Sequence, residues 1–240
     1  MSDYFLETQH HEWILTNQLG GYALGTGNLV NQRKYHGLLI GGYKELERRH
    51  LLAGLEERVE WRGEDFYMDN TNYSNCIYPE GFFHLVKSWL RPYPVFLYSS
   101  LPHNNFIMIM KEIMLDSKSN TVMIRYTNLG HHLLHMLVRP KITMRNHHDV
   151  NIASIWDTTQ INTVIGIGGN GTFMSQRTDN GFELHGYAPG TSIDYDTVIY
   201  ENVYYPWAVM RGYDGLCDLI SAVKIKFDLK PPAQMSMPFS

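Results

Sequence analysis

Short stretches of alternating apolar and polar residues, cut apart by tight-turn signals, recur along this chain and leave little room for anything but a β-protein. Asn170-Gly171 lies between residues 163–167 and 172–176, and Asn180-Gly181 lies between that second stretch and residues 182–187. Asn-Gly pairs reach positive φ at low cost and so close two-residue hairpins. Arg62-Gly63-Glu64-Asp65 joins residues 57–61 to 66–68 in a similar way. Residues 120–126 and 133–139, separated by Asn128-Leu129-Gly130, are expected to form another antiparallel pair. In the first of them Val122, Ile124 and Tyr126 alternate with Thr121, Met123 and Arg125, the period of a strand with two unlike faces. Residues 222–229 are expected as the last strand, with Val223, Ile225 and Phe227 on one side and Lys224, Lys226 and Asp228 on the other. The fold class that follows is all-β, a large antiparallel β-sandwich. Residues 43–61 resist this pattern, because their Glu, Leu and Arg content favours helix while Gly54 and the alternating end Glu57-Arg58-Val59-Glu60-Trp61 favour strand.

No Pro/Ser-rich linker, charge run or internal repeat divides the 240 residues, so one domain is expected over 1–240, with a core at about 12–230 and a tail at 231–240 entered through Pro231-Pro232. A chain of this size buries roughly seven-tenths of its unfolded surface and needs no disulfide or metal to hold it. Cys76 and Cys217 are the only cysteines, which points to a reducing compartment. The N-terminal residues lack the basic and apolar regions of a signal peptide, and the longest apolar runs, such as 106–110, are too short for a bilayer. Cytoplasmic location and no membrane partner are therefore expected. The net charge of −4 gives no electrostatic reason to expect nucleic acid.

Several chemistries are excluded by what surrounds their residues. The Gly-rich runs at 20–27 and 166–171 are not followed by a helix that could cradle phosphate, so no nucleotide cofactor is expected. The paired histidines His10-His11, His131-His132 and His147-His148 point to opposite faces of an extended chain, which argues against a metal site. Glycoside hydrolysis needs two carboxyl groups set a few ångströms apart. Among Glu56, Glu57, Asp157, Asp194, Asp196, Glu201, Asp214 and Asp218 no spacing declares such a pair; Asp194 and Asp196 share a strand face and are expected to be solvated. No Gly-x-Ser-x-Gly elbow is present. Sugar binding has more support, since pyranose rings stack on aromatic rings and pair their hydroxyls with planar polar groups. Trp13, Tyr35, Trp89, Trp156, Tyr204, Tyr205 and Trp207 supply the rings, and Asn17, Arg33, His36 and Arg139 the polar groups. Each aromatic taken singly is equally an ordinary core or cross-strand residue. The run Arg33-Lys34-Tyr35-His36 is harder to explain by packing.

An ordered series of motifs carries a family resemblance. Residues 12–26 contain Trp13 and Thr16-Asn17-Gln18-Leu19-Gly20-Gly21-Tyr22, followed by Arg33-Lys34-Tyr35-His36-Gly37-Leu38-Leu39. Further on come Arg139-Pro140, Arg145-Asn146-His147-His148, Tyr205-Pro206 and Arg211-Gly212-Tyr213-Asp214. Over roughly residues 12–230 the chain resembles the N-terminal domain of bacterial and archaeal glycogen debranching enzymes of the amylo-α-1,6-glucosidase type. The resemblance implies a supersandwich, strand over residues 49–59, and a place before an α/α-toroid that carries the catalytic acids. It implies as partners α-glucan (glycogen and maltooligosaccharides) and a toroid in the same or another chain, and it leaves homo-oligomerisation open. Arg33, Tyr35 and His36 are the leading candidates for glucan contact, followed by Arg139, Arg145 and His148, with Asn17 beside them; no catalytic residue is expected in this chain. Two rivals remain: a domain with its own 4-α-glucanotransferase activity, and a structural module without a sugar site. The chain departs from the family pattern at Ala208, Met210 and Cys217, where acidic residues are usual.

Overall fold

The computed structural model describes residues 8, 10–43, 47–100, 107–152, 161–166, 171–178 and 181–240. Two eight-stranded antiparallel sheets pack face to face. The first contains β1 (Glu12–Thr16), β2 (Tyr22–Thr26), β3 (Gly37–Gly42), β4 (Arg48–Trp61), β12 (Leu134–Asn146), β17 (Leu216–Leu229) and β16 (Ser192–Tyr204) in that spatial order, with β5 (Glu64–Tyr67) paired to the end of β4. The second runs β13 (Ile161–Ile165), β14 (Thr172–Arg177), β15 (Glu183–Tyr187), β18 (Gln234–Phe239), β11 (Val122–Asn128), β10 (Met108–Leu115), β9 (Val95–Ser99) and β8 (Leu85–Trp89). A small ribbon, β6 (Asn70–Asn72) with β7 (Ile77–Glu80), lies apart from both. Leu52, Val59, Val138 and Ile225 of the first sheet meet Phe96, Ile109, Ile124, Met237 and Phe239 of the second in one core. The fold class read from the turn spacing is the observed one.

Residues 48–61 form a single strand, as the family resemblance implied and against their helical propensity. Leu55, Glu57 and Val59 point into the sandwich, while Glu56 and Arg58 are only half-buried on the outer face. Burial of that alternate set, flanked by β3 and β12, overrides a preference worth only tenths of a kcal/mol per residue. The hairpins expected at Arg62-Gly63 and Gly181 are present, with φ of +54° and +79° in the first turn and +72° at Gly181. Gly171 has φ +61°, but Asn170 and Asn180 lie outside the described residues.

Two expectations need correction. Strands β11 and β12 do not pair: β11 sits between β18 and β10, and β12 between β4 and β17. The connection after Asn128 carries the chain from one sheet to the other. The Asn128 side chain anchors it, donating to the carbonyls of His132 and Leu229 at 2.8 Å and accepting from the Gly130 N–H at 2.9 Å. Alternation locates a strand and its buried face but says nothing of its neighbour. The second correction concerns residues 231–240. They contain β18, which fits between β11 and β15 and buries Met237 and Phe239 completely, so β17 is not the last strand.

Candidate functional site

Three connections of the first sheet converge: the segment between β2 and β3, the turn after β12, and the segment after β16 that begins with the one-turn helix α1 (Pro206–Val209). The Trp207 N–H donates to the Gln32 carbonyl at 2.9 Å, and the Lys34 ammonium to the His148 carbonyl at 2.5 Å. Gly37 makes the close approach possible. A Cβ there would fall 2.3 Å from His50 Nε2 and 3.0 Å from the Leu52 carbonyl.

The geometry assigns distinct roles to the expected residues. Glu12, on β1, accepts from Arg33 Nε at 2.7 Å and Nη2 at 3.1 Å, and from His36 at 2.7 Å. The Gln32 N–H donates to His36 Nδ1 at 3.1 Å, so Nε2 carries the hydrogen that Glu12 accepts. His36 is fully buried with both ring nitrogens engaged, and burial holds its pKa below the usual histidine value. The hydrogen bond from His36, together with that from Arg33, draws the Glu12 carboxyl down to about 2. The Arg33 guanidinium also lies 4.7 Å from the centre of the Trp207 ring, against which His10 stacks in parallel at 5.9 Å. Arg145, buried, donates to the carbonyls of Lys34 and Asp149 at 2.6 Å and of His147 at 3.2 Å, so it ties the first two connections together. Tyr35 hydrogen-bonds His148 Nδ1 through its hydroxyl at 3.2 Å, and the Lys34 ammonium lies 5.0 Å from the Tyr213 ring and 5.7 Å from that of Tyr35.

Arg33, Tyr35, His36, Arg145 and His148 are thus brought together, whereas Asn17 and Arg139 belong to other networks. Asn17 uses its full capacity internally: its amide nitrogen donates to the Ser119 carbonyl and Asn120 Oδ1, and its oxygen accepts from the N–H groups of Leu19 and Gly21. Arg139 bridges Glu56 and Asp196 on strands β4 and β16. Asp196 is therefore ion-paired rather than solvated, and Asp194 pairs with Lys226 at 3.1 Å. Trp13 is core, its indole N–H donating to the Thr26 carbonyl at 3.0 Å, and Tyr205 is fully buried. Trp156 and Asp157 lie outside the described residues.

Sequence reasoning missed the buried charge network inside the sandwich. Glu57 on β4 meets Lys111 of the opposite sheet at 2.7 Å and accepts from the Tyr126 hydroxyl. Asp69 meets Lys141 at 2.7 Å and accepts the Glu57 N–H at 3.1 Å, while Lys141 also donates to Thr71 at 2.6 Å. Burial raises the Asp69 pKa against the pull of Lys141. These charges line a cavity of about 40 Å³, room for about three water molecules and none for a sugar ring. Among the described residues no group of three or more His, Cys, Asp or Glu is placed to hold a metal ion, and no helix is long and apolar enough to cross a membrane.

The family model described as "Glycogen debranching enzyme N terminal" matches residues 11–236. The chain belongs to that family. No curated protein matches the chain. Solved structures similar to it include a bacterial glucoamylase complexed with acarbose, at 11% identity and a TM-score of 0.41, covering 97% of this chain and 33% of the other. A polysaccharide lyase is 15% identical with a TM-score of 0.34, covering 86% and 25%. The heparan sulfate lyase HepC of Pedobacter heparinus, as a mutant, is 9% identical with a TM-score of 0.37, covering 75% and 23%. The chain spans a third or less of the length of each.

Proposed function

We propose that this domain contacts α-glucan through Arg33, Tyr35 and His148 and docks against an α/α-toroid catalytic domain, in the same or another chain, without performing chemistry itself. The observation that carries this reading is the convergence of Arg33, Tyr35 and His148 with Tyr213 from three separate connections. Tyr213 is 52% exposed and offers a ring for the C–H face of a pyranose. Arg33 keeps Nη1 and His148 its outer nitrogen for sugar hydroxyls. His36 and Arg145 act as positioning residues, the first holding Glu12 and hence Arg33, the second holding the His148 turn. The apolar side chains of Val209, Met210 and Leu216 stand exposed beside the cluster and suit a protein partner.

The non-catalytic part rests on the carboxylates. Those of Glu12, Glu56, Glu57, Asp69, Asp194 and Asp196 are each ion-paired, and the enclosed pair has no space for substrate. Titration with maltoheptaose in a calorimeter tests the contact: Arg33→Ala combined with Tyr35→Ala should weaken binding at least tenfold, with a circular dichroism spectrum like the parent's. Equal affinities, or a parent that binds nothing, would remove the glucan site and favour a purely structural or self-associating module. Chromatography of the same incubation reads the other rival, since reshuffled oligosaccharides would mean a transferase within this chain.

A further inference from the structure

Four Lys and Arg side chains are buried among the described residues. Lys111 and Lys141 each meet a buried carboxylate at 2.7 Å. Lys34 and Arg145, 6% and 2% exposed, meet backbone carbonyls and aromatic rings, and among the described residues no carboxylate pairs with either. Removing a cation from water carries a desolvation cost that carbonyl dipoles offset only in part. The same protein meets that cost with an acid at one buried pair of cations and not at the other.

The two unpaired cations are neighbours, because an Arg145 N–H donates to the Lys34 carbonyl at 2.6 Å. Arg48 adds to them: its guanidinium donates to the Gly20 carbonyl at 2.8 Å, with no carboxylate partner among the described residues, and its own carbonyl accepts the His147 N–H at 3.2 Å. The rings of His147 and His148 lie 3.8 Å apart at the same place. Asp149 takes part only through its backbone, and Glu12 is committed to Arg33 and His36. Among the described residues the cluster therefore holds surplus positive charge, and it opens to solvent at His148 and Tyr213.

We propose that Lys34 and His148 form a binding site for a small oxyanion, a phosphoryl group either free or carried on a sugar, with the Tyr35 hydroxyl orienting the His148 ring and Arg145 and Arg48 supplying charge from behind. Lys34 spends one N–H on the His148 carbonyl and keeps two. The Tyr35 hydroxyl engages His148 Nδ1, which leaves the outer Nε2 for the ligand, as a donor in the tautomer that carries its hydrogen there. Charge-assisted bonds from an ammonium suit a phosphoryl oxygen better than a neutral hydroxyl. The site goes beyond the glucan reading, because neutral α-glucan has no use for surplus cation.

Thermal unfolding and calorimetry at constant ionic strength test this, with inorganic phosphate, glucose 6-phosphate and chloride as the added solutes. Phosphate should raise the midpoint by a few degrees over chloride and bind measurably. Lys34→Met should abolish both effects and His148→Ala should weaken binding at least tenfold, while Lys226→Met, which removes an exposed cation elsewhere, leaves them intact. Since Lys34 is buried, the exposed His148 carries the test where Lys34→Met does not fold. A larger effect of glucose 6-phosphate than of phosphate identifies a sugar-borne group, and equal effects a free anion; both uphold the site. Indifference to phosphate and to glucose 6-phosphate, or His148→Ala binding both as the parent does, overturns it. Maltoheptaose in a separate cell keeps the two readings apart, since phosphate binding without glucan binding sinks only the glucan reading, and the converse only this one.

Discussion

His36 is held neutral by geometry as much as by burial, because the Gln32 N–H already points at Nδ1, the nitrogen that protonation would need. Burial likewise keeps His50 well below the ordinary histidine value and brings His147 down to about 4. The unfolded chain takes these protons near the ordinary histidine value of 6.5 and the folded chain refuses them, so each proton bound below 6.5 favours unfolding. Glu12 acts in the same direction lower down, its contribution present above 4.5 and lost as the pH falls toward 2. The urea midpoint should therefore be level from pH 8 to 7, decline from about 6.5 to 4, and decline further below 4.5; a midpoint unchanged between pH 7 and 4.5 would contradict this. The polar run Arg33-Lys34-Tyr35-His36 was legible in the sequence because packing gives no reason for it. Its partner Glu12 was not, since it lies 21 residues from Arg33 and 24 from His36, and only the pairing of β1 with β2 brings it near.

Strand β4 presents the same lesson on the scale of an element. Its composition spells helix, yet Glu57 is not a surface helix residue: it reaches through the core to Lys111 on β10 and to Tyr126 on β11, fastening one sheet to the other. A buried ion pair contributes little net stability compared with apolar residues of like shape, but removing one partner strands the other charge. Lys141→Met alone should cost about 3–5 kcal/mol in urea unfolding, whereas Lys141→Met with Asp69→Leu should recover most of that loss. A double variant no better than the single one would show that Asp69 does not depend on Lys141. Asp69 itself was invisible beforehand, because it lies between β5 and β6 where no alternation marks a face. Periodicity found β11 and β12 but paired them wrongly; the deciding contact, the Asn128 amide on the Leu229 carbonyl, spans 101 residues.

At the scale of the whole molecule, charged residues make up only 18% of the chain, yet two ion pairs, Glu57–Lys111 and Asp69–Lys141, are spent inside it, while Glu56–Arg139–Asp196 ties strands together on an outer face. The sandwich was legible because turn signals and alternation are local, while the order of strands in each sheet was not. Strand β18 is the clearest case. It unites β13, β14 and β15 with β11, β10, β9 and β8, and Ser240 continues the pairing with His185 at 2.6 and 2.9 Å. Deleting residues 234–240 should leave two open sheet edges and an uncovered core, read as loss of the monodisperse peak in size-exclusion chromatography. A truncated chain that elutes as sharply as the parent would mean that β18 is dispensable.

The same strand sets a timetable for biosynthesis. The ribosome delivers β8 through β11 and β13 through β15 long before the piece that joins them, so the nascent chain carries two ribbons, each with a raw edge, until residue 239 has cleared the exit tunnel. Closure of the second sheet thus waits for a strand made after all its neighbours, and until then the unfinished edges are where chaperones have most to guard.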